Sequence, residues 1–125
     1  MTRHDDRIRL LHMLEHAVEA VQMIREHTRA DLDTDRKLNL ALVRLVEIIG
    51  EAATRMSPEV RNRHPGIPWL DIIGMRNRIV HGYDQVDFDI LWDVMELHLP
   101  PLITELQRIL DVKNDDQKQD NPGNV

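Results

Sequence analysis

Apolar side chains recur every three or four positions along most of this chain. Ile8, Leu11, Leu14, Val18, Val21 and Ile24 form one stripe, which predicts an amphipathic helix over residues 5–29. A polar stretch, "RADLDTD", interrupts it, and Asp33, Thr34 or Asp35 can cap the next helix. Leu38, Ala41, Leu42, Leu45, Ile48, Ile49, Ala52 and Met56 then give a wide apolar face over about 35–56, suited to the central helix of a bundle. Gly50 in this segment would permit close approach of a neighbour. Ser57 and Pro58 have the chemistry of an N-cap and first helical position, so a short turn of helix is expected there.

Pro65, Gly66 and Pro68 break that turn. The spacing predicts a third helix from Pro68 to His81, with Leu70, Ile72, Ile73, Ile79 and Val80 supplying apolar contacts and Gly82 as left-handed C-cap. A fourth is expected over 87–110, capped by Asp87, with Ile90, Leu91, Val94, Leu97, Leu102, Leu106 and Ile109 facing in and a kink at Pro100 and Pro101. The segment "NDDQKQDNPGNV" is polar and is expected to be disordered. The pattern predicts an all-α protein: an antiparallel four-helix bundle over 1–111 with a short extra helical turn, then a polar tail over 112–125.

Composition supports this and narrows the chemistry. The 125 residues suffice for one domain, and aromatics make up only 3%. With no cysteine, disulfides, thiolate metal sites and a cysteine nucleophile are excluded, which fits a cytoplasmic setting. No apolar run has the roughly 20 residues of a membrane span, and "MTRHDDRIRL" lacks the apolar core of a secretory signal. The net charge of −6 argues against nucleic-acid binding, but its distribution does not. Between 55 and 78, Arg55, Arg61, Arg63, Arg76 and Arg78 outnumber Glu59 and Asp71, a net of +3 against −9 elsewhere. Arginine forks suit phosphate, so Arg55, Arg61, Arg63 and Arg78 are candidate phosphate contacts; the alternative is a solvated face with ion pairs.

Two motifs are set aside. "HMLEH" at 12–16 matches the inverted zincin spacing, but a catalytic zinc needs a third ligand and a cleft, so His12 and His16 read as a surface pair and no metal site is assigned. "DLDTD" imitates the start of a calcium loop but continues with Arg36 and Leu42 where glycine and glutamate are required.

"RNRIVHGY", residues 76–83, concentrates chemistry. A histidine at a helix end suits proton transfer near neutral pH. On one straight helix Arg76 and His81 would stand about 140° apart, so two copies meeting across a two-fold axis would converge them better. Such a cleft suits RNA cleavage by the 2′-hydroxyl: one histidine takes a proton, another group returns one, and arginine holds the phosphate. Equally, Arg76 could pair with Asp71 or Glu59, and His81 could merely cap a helix.

The R-x-x-x-x-H-x-Y pattern of these residues resembles the signature of HEPN domains, in their HepT-like branch. The similarity extends over "LVEIIGEAATRMSPEVRNRHPGIPWLDIIGMRNRIVHGYDQVDFDILWDVMELHLPPL", residues 45–102. The resemblance implies a homodimeric, metal-independent endoribonuclease toxin of a toxin–antitoxin pair, with Arg76 and His81 catalytic and Asn77 supporting. It also implies a small nucleotidyltransferase antitoxin, MntA-like, that silences the toxin by moving AMP from ATP onto Tyr83, possible within a higher-order complex. The chain would need no cofactor; ATP serves the partner alone. Two other readings are a non-catalytic adaptor binding the nucleotidyltransferase or a nucleotide, and a phosphotransfer bundle using His81, against which Gly82 argues.

Overall fold

A computed structural model describes residues 3–83 and 85–119, with side chains over 4–83 and 85–110. The elements are α1 (Arg3–Met23), α2 (Asp31–Thr34), α3 (Arg36–Thr54), α4 (Pro58–Arg63), α5 (Trp69–Ile79), β1 (Val80–His81), β2 (Gln85–Val86), α6 (Phe88–Asp93), a π turn (Val94–His98) and α7 (Leu99–Gln119). The architecture is the expected all-α bundle. α1 packs on both α3 and α7, and α3 packs on α5. The expected tail, 112–125, lies outside the residues whose side chains are described. No helix among the described residues is long and apolar enough to cross a membrane.

The caps are those the local sequence encodes. Asp35 accepts the Leu38 N–H at 3.0 Å, Ser57 the Val60 N–H at 3.3 Å, and Asp87 the Ile90 N–H at 3.0 Å. α3 carries the central apolar face: Leu38, Leu42, Leu45, Val46 and Ile49 are buried. Each such side chain stabilises the fold by about 1.5–3 kcal/mol. Buried Asp6 of α1 accepts from both the backbone N–H and the hydroxyl of Ser57, at 3.2 and 2.8 Å. That contact spans 51 positions and seats α4 against α1.

Four expectations are corrected. First, α1 ends at Met23 rather than near 29, and a second short helix, α2, fills the connection. Second, the core line of α1 is Leu10, Met13, Ala17 and Ala20, continued just past its end by Ile24 as expected, whereas Ile8 stands exposed. The two alanines let α3 and α7 approach closely, so size rather than hydrophobicity selects this face.

Third, Leu70 and Leu97, expected inside, are 80% and 61% exposed. Leu70 lies in the first turn of α5, and Leu97 in the π turn. Fourth, the fourth helix is broken upstream of its prolines. Pro100 and Pro101 have no N–H to give to carbonyls one turn back. The chain therefore widens over Val94–His98, with Leu99 N–H reaching the Val94 carbonyl. One added residue per turn shifts the helical phase, which rotates Leu97 out and brings Met95 and Leu99 in. The prolines then occupy the first turn of α7, where an N–H is not needed.

Candidate active site

α5 presents the arginine of the motif, and its packing decides where that arginine points. Trp69 donates its indole N–H to the His64 carbonyl at 3.1 Å, which fixes how the chain enters the helix. Ile72, Met75 and Ile79 are buried, leaving Arg76, Asn77 and Arg78 exposed. Gly50 lets α3 come against α5: a Cβ there would stand 3.3 Å from the Ile72 carbonyl oxygen. The close approach anticipated from Gly50 is thus realised. Beside this crossing lies a groove of about 310 Å³, lined by Glu47, Gly50, Glu51, Thr54, Ile73, Arg76 and Asn77.

The helix stops at Ile79, two residues before His81, and not at His81 as expected. Val80 is β-branched and extended, and it starts a two-residue antiparallel ladder in which Val80 opposes Val86 and His81 opposes Gln85. The Asp87 N–H closes the base by donating to the Ile79 carbonyl at 2.7 Å. Gly82, at φ +70°, turns the hairpin rather than capping the helix. His81 is therefore displayed on a strand, clear of the helix end, and the 140° separation of a continuous helix does not apply. Tyr83 is fully exposed.

The arginines divide by what holds them. Arg61 donates to the Ala53 and Thr54 carbonyls at 3.1 and 2.8 Å and so caps α3. Arg63 pairs with Glu59 at 2.7 Å, and Arg78 with the Asp71 backbone and carboxylate at 3.2 and 3.8 Å. The two acids considered as partners for Arg76 thus serve other arginines. The side chains of Arg76, His81 and Arg55 have no hydrogen-bond or ion-pair partner among the described residues. Arg76 and Asn77 share the α3–α5 groove. Arg78 lies on the other face of α5, lining an apolar cavity with Asp71 and Met75, and Arg55 lines a groove between α1 and α3.

The composition of the Arg76 groove includes residues that the motif does not contain. Glu47, Glu51 and Thr54 repeat at helical spacing on the polar edge of α3, a signal that identifies their common edge but not which helix lies beside it. His12 and His16 form the surface pair read from their spacing: the rings stand edge to face with centroids 6.3 Å apart, and His16 Nδ1 is 2.6 Å from the His12 carbonyl oxygen.

Comparison with known proteins identifies a family. The family described as ribonuclease HepT-like matches residues 13–109. A predicted ribonuclease HepT from Thermococcus cleftensis is 34% identical over 100 residues, covering 77% of this chain and 91% of that one. A predicted RNase from Caldanaerobacter subterraneus subsp. tengcongensis is 34% identical over 101 residues, covering 78% and 90%. One from Methanocaldococcus jannaschii is 27% identical over 118 residues, covering 94% and 98%. No solved structure matches. With the matched region spanning the bundle from α1 to α7 and enclosing the Arg76 groove and the His81 hairpin, the chain belongs to the ribonuclease HepT-like family of HEPN domains.

Proposed function

We propose that this chain is a metal-independent endoribonuclease and the toxin of a toxin–antitoxin pair. The observation that carries the reading is that the side chains of Arg76 and His81, in one eight-residue segment, are both exposed and both without partners among the described residues. A cation held ready on a groove wall and a free imidazole on a hairpin are the two groups that 2′-hydroxyl attack requires. His81 takes the 2′-hydroxyl proton as that oxygen bonds to phosphorus. Arg76 offsets the charge that builds on the phosphoryl oxygens, with Asn77 hydrogen-bonding beside it. A second proton donor, His81 of the other copy in a homodimer, protonates the departing 5′ oxygen. The products are a 2′,3′-cyclic phosphate and a 5′-hydroxyl, and no water is consumed.

Tyr83 would be the off-switch. Its full exposure leaves the hydroxyl open to AMP transfer from ATP by an MntA-like nucleotidyltransferase. The added nucleotide places bulk and negative charge two residues from His81, opposing an RNA phosphate by sterics and by charge. Arg55 is free to hold flanking RNA phosphates; Arg61, Arg63 and Arg78 would do so only by exchanging their present partners. The setting proposed for this pair is the cytoplasm.

The test is incubation of the purified chain with labelled total RNA in EDTA, beside His81→Ala, after mass spectrometry shows Tyr83 unmodified. Cleavage by the wild type alone, leaving cyclic-phosphate ends, is the expected result. Equal cleavage by His81→Ala would remove His81 from the chemistry. Intact RNA with an unmodified, folded chain would favour the non-catalytic adaptor.

A further inference from the structure

The Arg76 groove contains more than a phosphate clamp needs. Two carboxylates, Glu47 and Glu51, line it with a single guanidinium, so a run of RNA phosphates would be repelled from it and one phosphate is the most it can hold. Glu47 is engaged by Arg44 at 3.5 Å. Glu51 is exposed, and its carboxylate has no hydrogen-bond or ion-pair partner among the described residues. Arg76 and Glu51 are therefore opposite charges in one groove that do not pair with each other. Gly50 adds no side chain to the same groove, and half-buried Ile73 gives it an apolar wall. At about 310 Å³ the groove is at the lower end of small-ligand clefts, roughly 300–1,000 Å³, which is the scale of one nucleotide rather than a strand.

A ligand that complements this groove needs an anionic group for Arg76, N–H donors for Glu51 and a flat apolar face for Ile73. We propose that the groove takes one guanosine nucleotide, with its phosphate on Arg76 and the Watson–Crick edge of its base on the Glu51 carboxylate, so that Glu51 selects the base beside which RNA is cut. An ionised carboxylate has two acceptor oxygens and no donor. Guanine presents N1–H and N2–H side by side and satisfies both oxygens with two parallel charge-assisted hydrogen bonds. Adenine and cytosine present one amino donor beside a ring-nitrogen lone pair, which repels the second oxygen. Uracil presents one N–H between two carbonyls. The Thr54 hydroxyl strengthens the preference for donors: it donates to the Gly50 carbonyl at 2.9 Å, so toward the groove it can only accept. Unpaired bases of single-stranded RNA expose the edge that this recognition requires.

The place of the guanosine beside the cut rests on the ribonuclease reading, which puts the scissile phosphate on Arg76. Binding of the nucleotide itself does not depend on that reading.

Two measurements on the full chain test this. In the first, wild type and Glu51→Gln cut oligoribonucleotides of adenosine that carry one guanosine, inosine, cytidine or uridine, in EDTA, and the product ends are mapped. Wild type should cut beside guanosine with kcat/KM about tenfold to a hundredfold above adenosine, the worth of one bidentate base contact. Inosine, which lacks the N2 amino group, should fall between the two. Glu51→Gln replaces one acceptor oxygen with an amide donor that faces guanine N–H, so the guanosine-to-adenosine ratio should approach one. Glu51→Asp keeps the carboxylate and should retain part of the preference. In the second, guanosine, inosine and adenosine 3′-monophosphates are titrated into the same proteins by calorimetry, and the same ranking should appear in wild type and vanish in Glu51→Gln. Unchanged helicity and urea midpoint show that the variants are folded. Cleavage and nucleotide binding indifferent to the base overturn the proposal, as does a preference for another base or a guanosine preference that survives in Glu51→Gln. Selective binding of guanosine 3′-monophosphate through Glu51 by a chain that leaves RNA uncut supports the groove assignment and counts against the ribonuclease reading instead.

Discussion

Replacing Gly50 with valine should separate the two helices that form the Arg76 groove. A Cβ at this position would stand 3.3 Å from the Ile72 carbonyl oxygen and 3.7 Å from that of Ile73. Both are backbone atoms of α5, so no side chain can rotate away. For alanine the neighbour must give by a few tenths of an ångström, and the gain in helix propensity over glycine, about 1 kcal/mol, roughly offsets that cost. Valine adds two γ-carbons at a contact already tight, and overpacking of this kind costs about 1–3 kcal/mol. We expect Gly50→Ala within about 0.5 kcal/mol of wild type and Gly50→Val about 2 kcal/mol less stable.

Urea denaturation reads this as a lower midpoint at unchanged slope. Truncating Ile72 to alanine should not rescue Gly50→Val, because the obstructing atom belongs to the backbone. RNA cleavage should fall further than the folded fraction does, since retreat of α5 carries Arg76 away from Glu47 and Glu51. A Gly50→Val chain as stable as wild type, or one restored by shortening Ile72, would refute the backbone contact as the determinant of the crossing.

Asp6→Ala removes two hydrogen bonds from a buried carboxylate to Ser57, and urea denaturation should show a loss of about 2–3 kcal/mol, with Asp6→Asn losing less. Tyr83→Phe, at a fully exposed position, should leave the urea midpoint unchanged within about 0.5 kcal/mol while abolishing AMP incorporation detected by intact mass. Acid should destabilise the fold through two half-buried carboxylates: Asp31 is held below its ordinary range by the Thr28 N–H and by His27, and Glu105 by Arg108. Both pKa values are lowered in the folded state, so the stability they contribute is complete above the ordinary carboxylate range and is lost as pH falls through the folded values. Thermal midpoints measured from neutral pH downward should fall in that acid window, and Glu105→Gln should flatten the descent.

Much of the candidate site could be nominated because its residues are close in sequence. Arg76, Asn77, His81 and Tyr83 could be nominated from one short segment, and the caps at Asp35, Ser57 and Asp87 depend only on a side-chain oxygen reaching an N–H three residues on. Misreadings arose where a neighbour overrode local pattern. Leu97 has the spacing of a core residue, but two prolines downstream force a π turn that moves it to the surface. Ile8 and Leu11 match the helical period of α1, yet Ala17 and Ala20 define the buried face because two helices press there at once.

Local periodicity, caps and breakers along the chain determined that it would be helical, where most helices begin, and which side chains could do chemistry. The folded structure decided which of those side chains remain available. Arg61, Arg63 and Arg78 are drawn into capping and ion pairs by atoms up to eight positions away, while Arg76 is left free on a groove wall whose other side comes from α3. It also decided that α5 ends before His81, because an extended Val80 finds Val86 across a hairpin and pairs with it. Periodicity registers one helix at a time; a groove, a free cation and a strand partner exist only between elements, and packing sets them.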